Sequence, residues 1–375
     1  MLATSRAGVW KIRTGSKIGI VVGDGWEVRV QPRLKIPKLM FLLSYARDPK
    51  GWRDQQAEFD RDDELFAAIA HGFSHQAVRA LERGLLRGYV RIEEQRSDIR
   101  GRVLFDRLVT RGSLPLPAHV AFDDYTEDIL ENRMLRTATQ LLLRLPRVHA
   151  EARRRLLRVK SILQSVTPLT KWLNVTAPPV TRLNERYAAA LHLAELVLAG
   201  ATPDAQLGDV RSSTFVFDMN KVFEDFVTTA FREAMRGRGG EVRGQVNEIA
   251  LDEGLVLKLK PDLSWWREGG CAAVLDAKYK AITAGTMRHP DAYQMLAYCT
   301  AYGLPRGYLV YANDETQKSR THVIRNAGQR IVVTSIDVET EPDAVLRQIE
   351  ALAETVAHDV ASADVRRVDS ALVAR

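Results

Sequence analysis

Three charged residues in the last part of the chain have the types and spacing of a phosphodiesterase centre. Asp262 closes the stretch Leu257-Lys258-Leu259-Lys260-Pro261-Asp262, and Asp276 and Lys278 lie in Ala273-Val274-Leu275-Asp276-Ala277-Lys278. The second stretch reads as a strand, where side chains alternate faces, so Asp276 and Lys278 share one face and Ala277 takes the other. The first reads as a strand ending at Asp262, with Trp265 to Gly270 as the connection and Gly269-Gly270 permitting a turn. If the two strands pair, Asp262 and Asp276 converge. Two convergent carboxylates suit Mg²⁺, which takes oxygen ligands, keeps several waters and accepts substrate phosphate oxygens; Mn²⁺ suits the same donors. Such an ion polarises a scissile phosphate and lowers the pKa of a bound water. The Lys278 ammonium can orient that water or offset charge building on the phosphorane.

Two helical segments add candidates. Glu224, in Asn220-Lys221-Val222-Phe223-Glu224-Asp225-Phe226, precedes the strands and could reach the metal through water or serve a second ion. Gln294 and Tyr298 follow the strands at i and i+4, the spacing that shares a helix face, and could support Lys278 or the phosphate. Each residue alone has a plainer explanation. Pro-Asp commonly starts a turn, Asp-x-Lys on an exposed strand is a charge pair, and Asp225 rivals Glu224. Their order and context argue for more. The strand bearing Asp276 otherwise reads Ala-Ala-Val-Leu, a buried sequence, and charge at the end of a buried strand is costly unless paired or ligating.

The elements that must position these residues form a mixed α/β unit. A helix from Asp218 to Met235 leads into strands near Glu241 to Ile249, Leu255 to Lys260 and Ala272 to Asp276. A helix from Asp291 to Tyr302 follows, then strands Gly307 to Tyr311, Arg320 to Ile324 and Ile331 to Ile336, and a closing helix Asp343 to Val360 before a frayed tail. Upstream, Ile18 to Val22 and Trp26 to Gln31 read as strands around an Asp24-Gly25 turn. Met40 to Ala46 reads as helical, and Asp62-Asp63-Glu64 opens a helix running to about Arg83. Tyr89 to Glu94 and Arg102 to Leu108 read as strands, and Gly112 to Pro117 as a loop. The middle is helical: Thr126 to Leu143, Ala150 to Val166 and Leu183 to Leu198, with Ala201 to Ser213 as a linker. Arg153, Arg154, Arg155 and Arg158 lie on the second of these helices, either as a solvated face or as a DNA contact. The expected fold class is α/β. Residues 1–115 form a β-rich N-terminal domain, 116–208 a helical middle region, and 209–375 a core with a mixed central sheet flanked by helices.

Composition bounds the function classes. Among 375 residues, 54 Lys and Arg against 47 Asp and Glu leave a net charge of +7, which favours a polyanionic partner. The two cysteines, Cys271 and Cys299, lack neighbours at zinc-ligand spacing. His71 and His75 are i, i+4 on a helix but lack the glutamate of an HExxH site and read as structural. No G-x-x-x-x-G-K-[ST] loop occurs, so no NTPase of the chain's own is visible. No apolar run reaches the ~20 residues of a membrane span, and the start lacks a signal-peptide core, so the expected location is the cytoplasm.

The order Glu224, Pro261-Asp262, Asp276-Ala277-Lys278, Gln294-x-x-x-Tyr298 resembles the PD-(D/E)xK nuclease superfamily. More narrowly, the chain resembles the McrC family, the nuclease subunits of McrBC-type 5-methylcytosine restriction systems. Val28-Arg29-Val30-Gln31-Pro32, Pro37-Lys38-Leu39, Tyr125 to Arg133 and Met219 to Glu224 carry the resemblance through most of the chain. It implies a restriction-endonuclease-like C-terminal core and a Mg²⁺-dependent cut in modified, double-stranded DNA. It also implies a hexameric AAA+ GTPase partner of the McrB type, engaged and stimulated by the N-terminal region. Two alternatives stay open: a non-catalytic AAA+ activating adaptor on a decayed nuclease fold, and a PD-(D/E)xK nuclease of another kind, such as a RecB-like one.

Overall fold

The structure, a computed structural model, describes residues 2–6, 9–13, 15–23, 26–53, 64–104, 117–172, 175–207, 210–246, 249–279, 289–313 and 319–373. The expected Asp24-Gly25 turn, the acidic opening Asp62-Asp63 and most of 102–108 and 112–117 fall outside these residues. The chain forms two compact units. One comprises 1–21, 25–60 and 216–375, the other 22–24 and 61–215. This cuts the chain differently from the three consecutive stretches expected.

The first unit carries the candidate residues. It begins with a hairpin, β1 (Leu2–Arg6) and β2 (Val9–Arg13), that the polar N-terminal sequence does not announce. The expected strands follow as β3 (Lys17–Gly23) and β4 (Trp26–Val30). Helix α1 (Ile36–Arg47) starts with Pro37 in its first turn, where the missing N–H costs nothing. Its apolar face is wholly buried from Leu39 to Leu43.

The second unit holds helices α2 (Leu65–Leu81), α3 (Leu130–Leu143), α4 (Ala150–Ile162) and α5 (Ala188–Gly200), which pack on one another. A three-stranded antiparallel sheet accompanies them, with β7 (Ala118–Thr126) between β5 (Gly88–Arg96) and β6 (Arg102–Val103). Helix α3 therefore starts four residues later than expected, because Thr126 ends a strand. Asn132 is buried there and donates to the carbonyls of Leu86 and Glu127 at 2.8 and 2.7 Å. Ala201 to Ser213 is not a linker. It forms β8 (Ala201–Leu207) and the start of β9 (Val210–Asp218), paired antiparallel with a register shift between Thr202 and Ala205.

After β9 comes α6 (Met219–Ala234), which packs on α1. Phe226 stacks edge-on against Phe41 and Tyr45, with ring centroids 5.4 and 5.6 Å apart. This contact places 25–60 with the C-terminal half. Asp218 caps α6, accepting from Asn220 N at 3.0 Å and from Ser16 Oγ at 2.8 Å.

The remaining strands are β10 (Glu241–Gly244), β11 (Ile249–Ala250), β12 (Lys258–Leu259), β13 (Leu263–Arg267), β14 (Gly270–Lys278), β15 (Arg306–Asn313), β16 (Arg320–Val323) and β17 (Arg330–Asp337). Helix α7 (His289–Tyr302) joins β14 to β15, and α8 (Pro342–Val373) closes the chain, running beyond the expected end at Val360. Six strands make one mixed sheet in the order β10-β13-β14-β15-β17-β16. The β14, β15 and β17 strands are parallel and the outer pairings antiparallel.

Two expectations change here. The partner of β14 is β13, lying where a connection was expected, while the expected 255–260 strand shrinks to Lys258–Leu259 and pairs with β11. Helix α7 covers the face bearing Val274, Leu309, Tyr311, Ile331 and Val333. The opposite face meets α6 and α8, where Tyr308 donates to Asp359 at 2.9 Å.

Gly307 lets α7 approach. A Cβ there would lie 2.3 Å from Met295 Sδ and 2.7 Å from Cys299 Sγ, both in fully buried side chains. Gly307→Ala is expected to cost about 1–3 kcal/mol through overpacking, read as a lower midpoint in thermal unfolding. An unchanged midpoint would mean that this interface is loosely packed.

Candidate active site

The geometry starts from β14. Its period of two puts Asp276 on the face of Val274, and the side chain is only 1% exposed. Lys278, two residues on, brings its Nζ to 2.5 Å from Asp276 Oδ2. Asp262 sits in the turn entering β13. Its Oδ2 accepts from Ala277 N at 2.9 Å, so the backbone between Asp276 and Lys278 holds the second carboxylate in place. Asp262 Oδ2 lies 3.8 Å from Lys278 Nζ. Both aspartates therefore converge on one ammonium, although the strand that delivers Asp262 begins after it rather than ending at it.

Asp276 is under-satisfied. Lys278 is within ion-pair distance, yet among the described residues neither Asp276 oxygen meets hydrogen-bond geometry with a protein donor. A buried carboxylate in that condition is costly. Burial, then the neighbouring charge of Asp262, pushes its pKa up to about 8 against the pull of Lys278. Burial and Asp262 likewise raise Glu224 to about 7, with Lys278 opposing. Glu224, on α6, therefore lies within electrostatic reach of the same cluster. Burial is the largest influence on Lys278 and pulls its pKa down, but Asp276 and Asp262 together outweigh it and the net shift is upward.

Gln294 and Tyr298 bond to each other and to the backbone that leads into the site. Gln294 Nε2 donates to Tyr298 Oη at 2.7 Å, and Tyr298 Oη donates to the carbonyl of Lys260 at 2.9 Å. The pair fastens the chain just ahead of Pro261-Asp262 and forms no bond to Lys278 among the described residues. A backbone carbonyl as anchor leaves no side-chain signal in a sequence.

Among the described residues no three His, Cys, Asp or Glu side chains cluster closely enough to hold a metal by themselves. The donor set is thus Asp262 and Asp276, with Glu224 farther off. Mg²⁺ needs no more, since it commonly binds one or two carboxylates and keeps its waters. The orphaned oxygens of Asp276 fit such a cation. His71 and His75 join no such cluster. Cys271 and Cys299 are free thiols, each pushed up to about 12, foremost by burial, and stay protonated at neutral pH. Arg153, Arg154 and Arg158 are exposed on α4 in the other unit, while Arg155 pairs with Glu151 one turn back.

The raised carboxylates predict a pH dependence of metal-free stability. An acid whose folded pKa exceeds its unfolded value binds more protons when folded. Its stabilising contribution is complete below the unfolded value and is lost as pH rises through the folded one, here about 7 for Glu224 and about 8 for Asp276. Melting in chelator is therefore expected at higher temperature at pH 6 than at pH 8.5, and Asp276→Asn should flatten the difference. A melting temperature that rises with pH across this window would contradict the assignment.

With this geometry in place, the chain can be set beside known proteins. No curated protein sequence matches it. The structure resembles a chain in the refined half-complex from the tetradecameric assembly of Thermococcus gammatolerans McrB AAA+ hexamers with bound McrC. The TM-score is 0.54 at 17% identity, covering 94% of this chain and 86% of that one. A chain of the cryo-EM structure of the Thermococcus gammatolerans McrBC complex matches at TM-score 0.37 and 23% identity, covering 60% of this chain and 68% of that one. The first likeness shows a shared fold. The sequence itself matches the family described as McrBC 5-methylcytosine restriction system component over residues 12–312. That match takes in the candidate site, and the chain belongs to the McrBC 5-methylcytosine restriction system component family.

Proposed function

We propose that this chain is an McrC-type nuclease subunit, a Mg²⁺-dependent DNA endonuclease with a PD-(D/E)xK core that works with an McrB-type AAA+ GTPase. One observation carries the reading: a buried Asp276 converging with Asp262 on the Lys278 ammonium at the end of a central strand. Asp262 and Asp276 would hold the ion, with Glu224 reaching it through water. When bound, Mg²⁺ (or Mn²⁺) supplies Lewis-acid polarisation of the phosphate and a more acidic water. The chain's own residues do the rest. Lys278 places a positive charge where the attacking water and the phosphate meet. The Ala277 amide keeps Asp262 from swinging away, and Tyr298 with Gln294 keeps its backbone in register.

The partner follows from the family and from the missing phosphate loop, since the chain has no visible way to power translocation itself. We assign partner docking to residues 1–115, as the resemblance implies. The substrate is double-stranded DNA, probed first in its 5-methylcytosine form. A non-catalytic adaptor gives the convergence of Asp262, Asp276 and Lys278 no chemical task.

Reconstitution with the McrB-type GTPase tests the reading. Cleavage of methylated duplex is expected only with GTP and a divalent cation together, and chelator should abolish it. A reconstituted complex that hydrolyses GTP but leaves methylated and unmethylated DNA intact would overturn it.

A further inference from the structure

The segment leading into Asp262 carries an apolar tip. Strands β11 and β12 pair as a small sheet of their own, Ile249 opposite Leu259 and Ala250 opposite Lys258. The loop between them exposes Leu251, Leu255, Val256 and Leu257 by 42%, 60%, 78% and 56%. Four exposed aliphatic side chains on one short loop are unusual for a solvated turn.

The loop is also braced by its own aspartate. Asp252 Oδ1 accepts from Leu257 N at 2.7 Å and Oδ2 from Val256 N at 3.2 Å. Leu255 takes φ +57, a left-handed conformation that a bulky side chain adopts only at a cost. A leucine held there, gaining little burial, points to use of the tip rather than to folding.

The base of the hairpin is tied to the candidate site. Leu259 packs against the core around Met295 and Tyr298, and Tyr298 holds the Lys260 carbonyl. Lys258 and Lys260 are exposed between tip and site. From Leu257 to Asp262 the chain spans at most ~18 Å even when extended. Duplex DNA advances about 3.4 Å per base pair, so the tip reaches a step within about five base pairs of a phosphate at Asp262.

We propose that Leu255, Val256 and Leu257 form a wedge that enters the minor groove beside the scissile phosphate and unstacks one base step, while Lys258 and Lys260 contact the flanking backbone. The proposal rests on the nuclease reading for the position of the DNA. Apolar wedges of this kind kink duplexes at the step they enter. Flexible pyrimidine–purine steps open most easily, so the wedge selects where the cut falls within the length of DNA presented.

The test uses the full chain assembled with its AAA+ partner and duplexes carrying 2-aminopurine at a TA step. Fluorescence is expected to rise on binding for the parent and to stay flat for Leu255→Gly and Val256→Ser, with DNA affinity weakened about tenfold. Leu255→Gly relieves the left-handed backbone, so its melting temperature should not fall and misfolding cannot explain the loss. Equal fluorescence changes in parent and variants, or none in either, overturn the wedge even if DNA is cut. A variant-sensitive signal without any cutting by the parent keeps the wedge and removes the nuclease reading. A change in subunit stoichiometry in the variants with the fluorescence unchanged assigns the tip to a second copy of the chain and also overturns the wedge.

Discussion

Asp276→Ala is expected to slow DNA cleavage about a thousandfold or more while leaving the partner's GTP hydrolysis at the parent level. The expectation comes from where the carboxylate sits. Asp276 is the most buried charge of the cluster, and the Lys278 ammonium lies 2.5 Å from its Oδ2. Removing it takes away half of the two-carboxylate donor set and leaves Lys278 without its nearest partner. The isosteric Asp276→Asn variant controls for packing, since it keeps the side chain's volume while mimicking the protonated form favoured by burial. Both variants should lose cleavage, and both should lose the thermal stabilisation that Mg²⁺ gives the parent at pH 8. The unaltered GTPase matters as much as the lost cutting, because it shows that the subunit still docks and stimulates. Cleavage by Asp276→Ala within tenfold of the parent would remove Asp276 from the reaction. Lost cleavage with lost GTPase stimulation would instead report a failed assembly.

The parts of this site that were legible in the sequence are those set by local period. Asp276 and Lys278 share a face because a strand alternates, and that holds whatever pairs with it. Glu224, Gln294 and Tyr298 fall on helices whose apolar spacing is plain. What pairs with β14 was not legible. Leu263-Ser264-Trp265-Trp266 carries its two tryptophans across a bulge, and the register shift between Trp265 and Trp266 breaks the alternation that marks a strand. Glu268 and Gly269, at φ +50 and +80, make the tight turn into β14. Asp262 therefore reaches the site from a turn, through the Ala277 amide, which no pattern of side chains records. The strands from Ala201 to Asp218 were hidden for a related reason: Pro203 and Asp204 fall where the register shifts, so a proline that argues against a strand sits in its bulge. The packing of α1 on α6 depends on Phe41 and Phe226 meeting across about half of the chain, and periodicity carries no information on such distant pairs.

Lys278→Met separates a chemical role for the lysine from a structural one. Methionine keeps an unbranched apolar side chain along the strand and removes only the charged end. If Lys278 acts on the attacking water or the phosphorane, turnover should fall on the order of a hundred- to a thousandfold with little change in KM for DNA. The effect on the metal should run the other way. The ammonium competes for the Asp276 oxygen that a cation would use, since it stands 2.5 Å from Oδ2. Without it, Asp262 and Asp276 face each other with no counter-charge, so the metal-free variant should melt below the parent at pH 8. Mg²⁺ should then raise its melting temperature by more than it raises the parent's. A lysine that merely paired with Asp276 to hold the strand would produce a different pattern, with weaker Mg²⁺ binding and slower turnover in proportion as the carboxylates lost their arrangement. Slow turnover joined to unweakened Mg²⁺ binding is the combination expected of an ammonium that acts on the reacting phosphate, and parent-level turnover in Lys278→Met would remove the lysine from the reaction altogether.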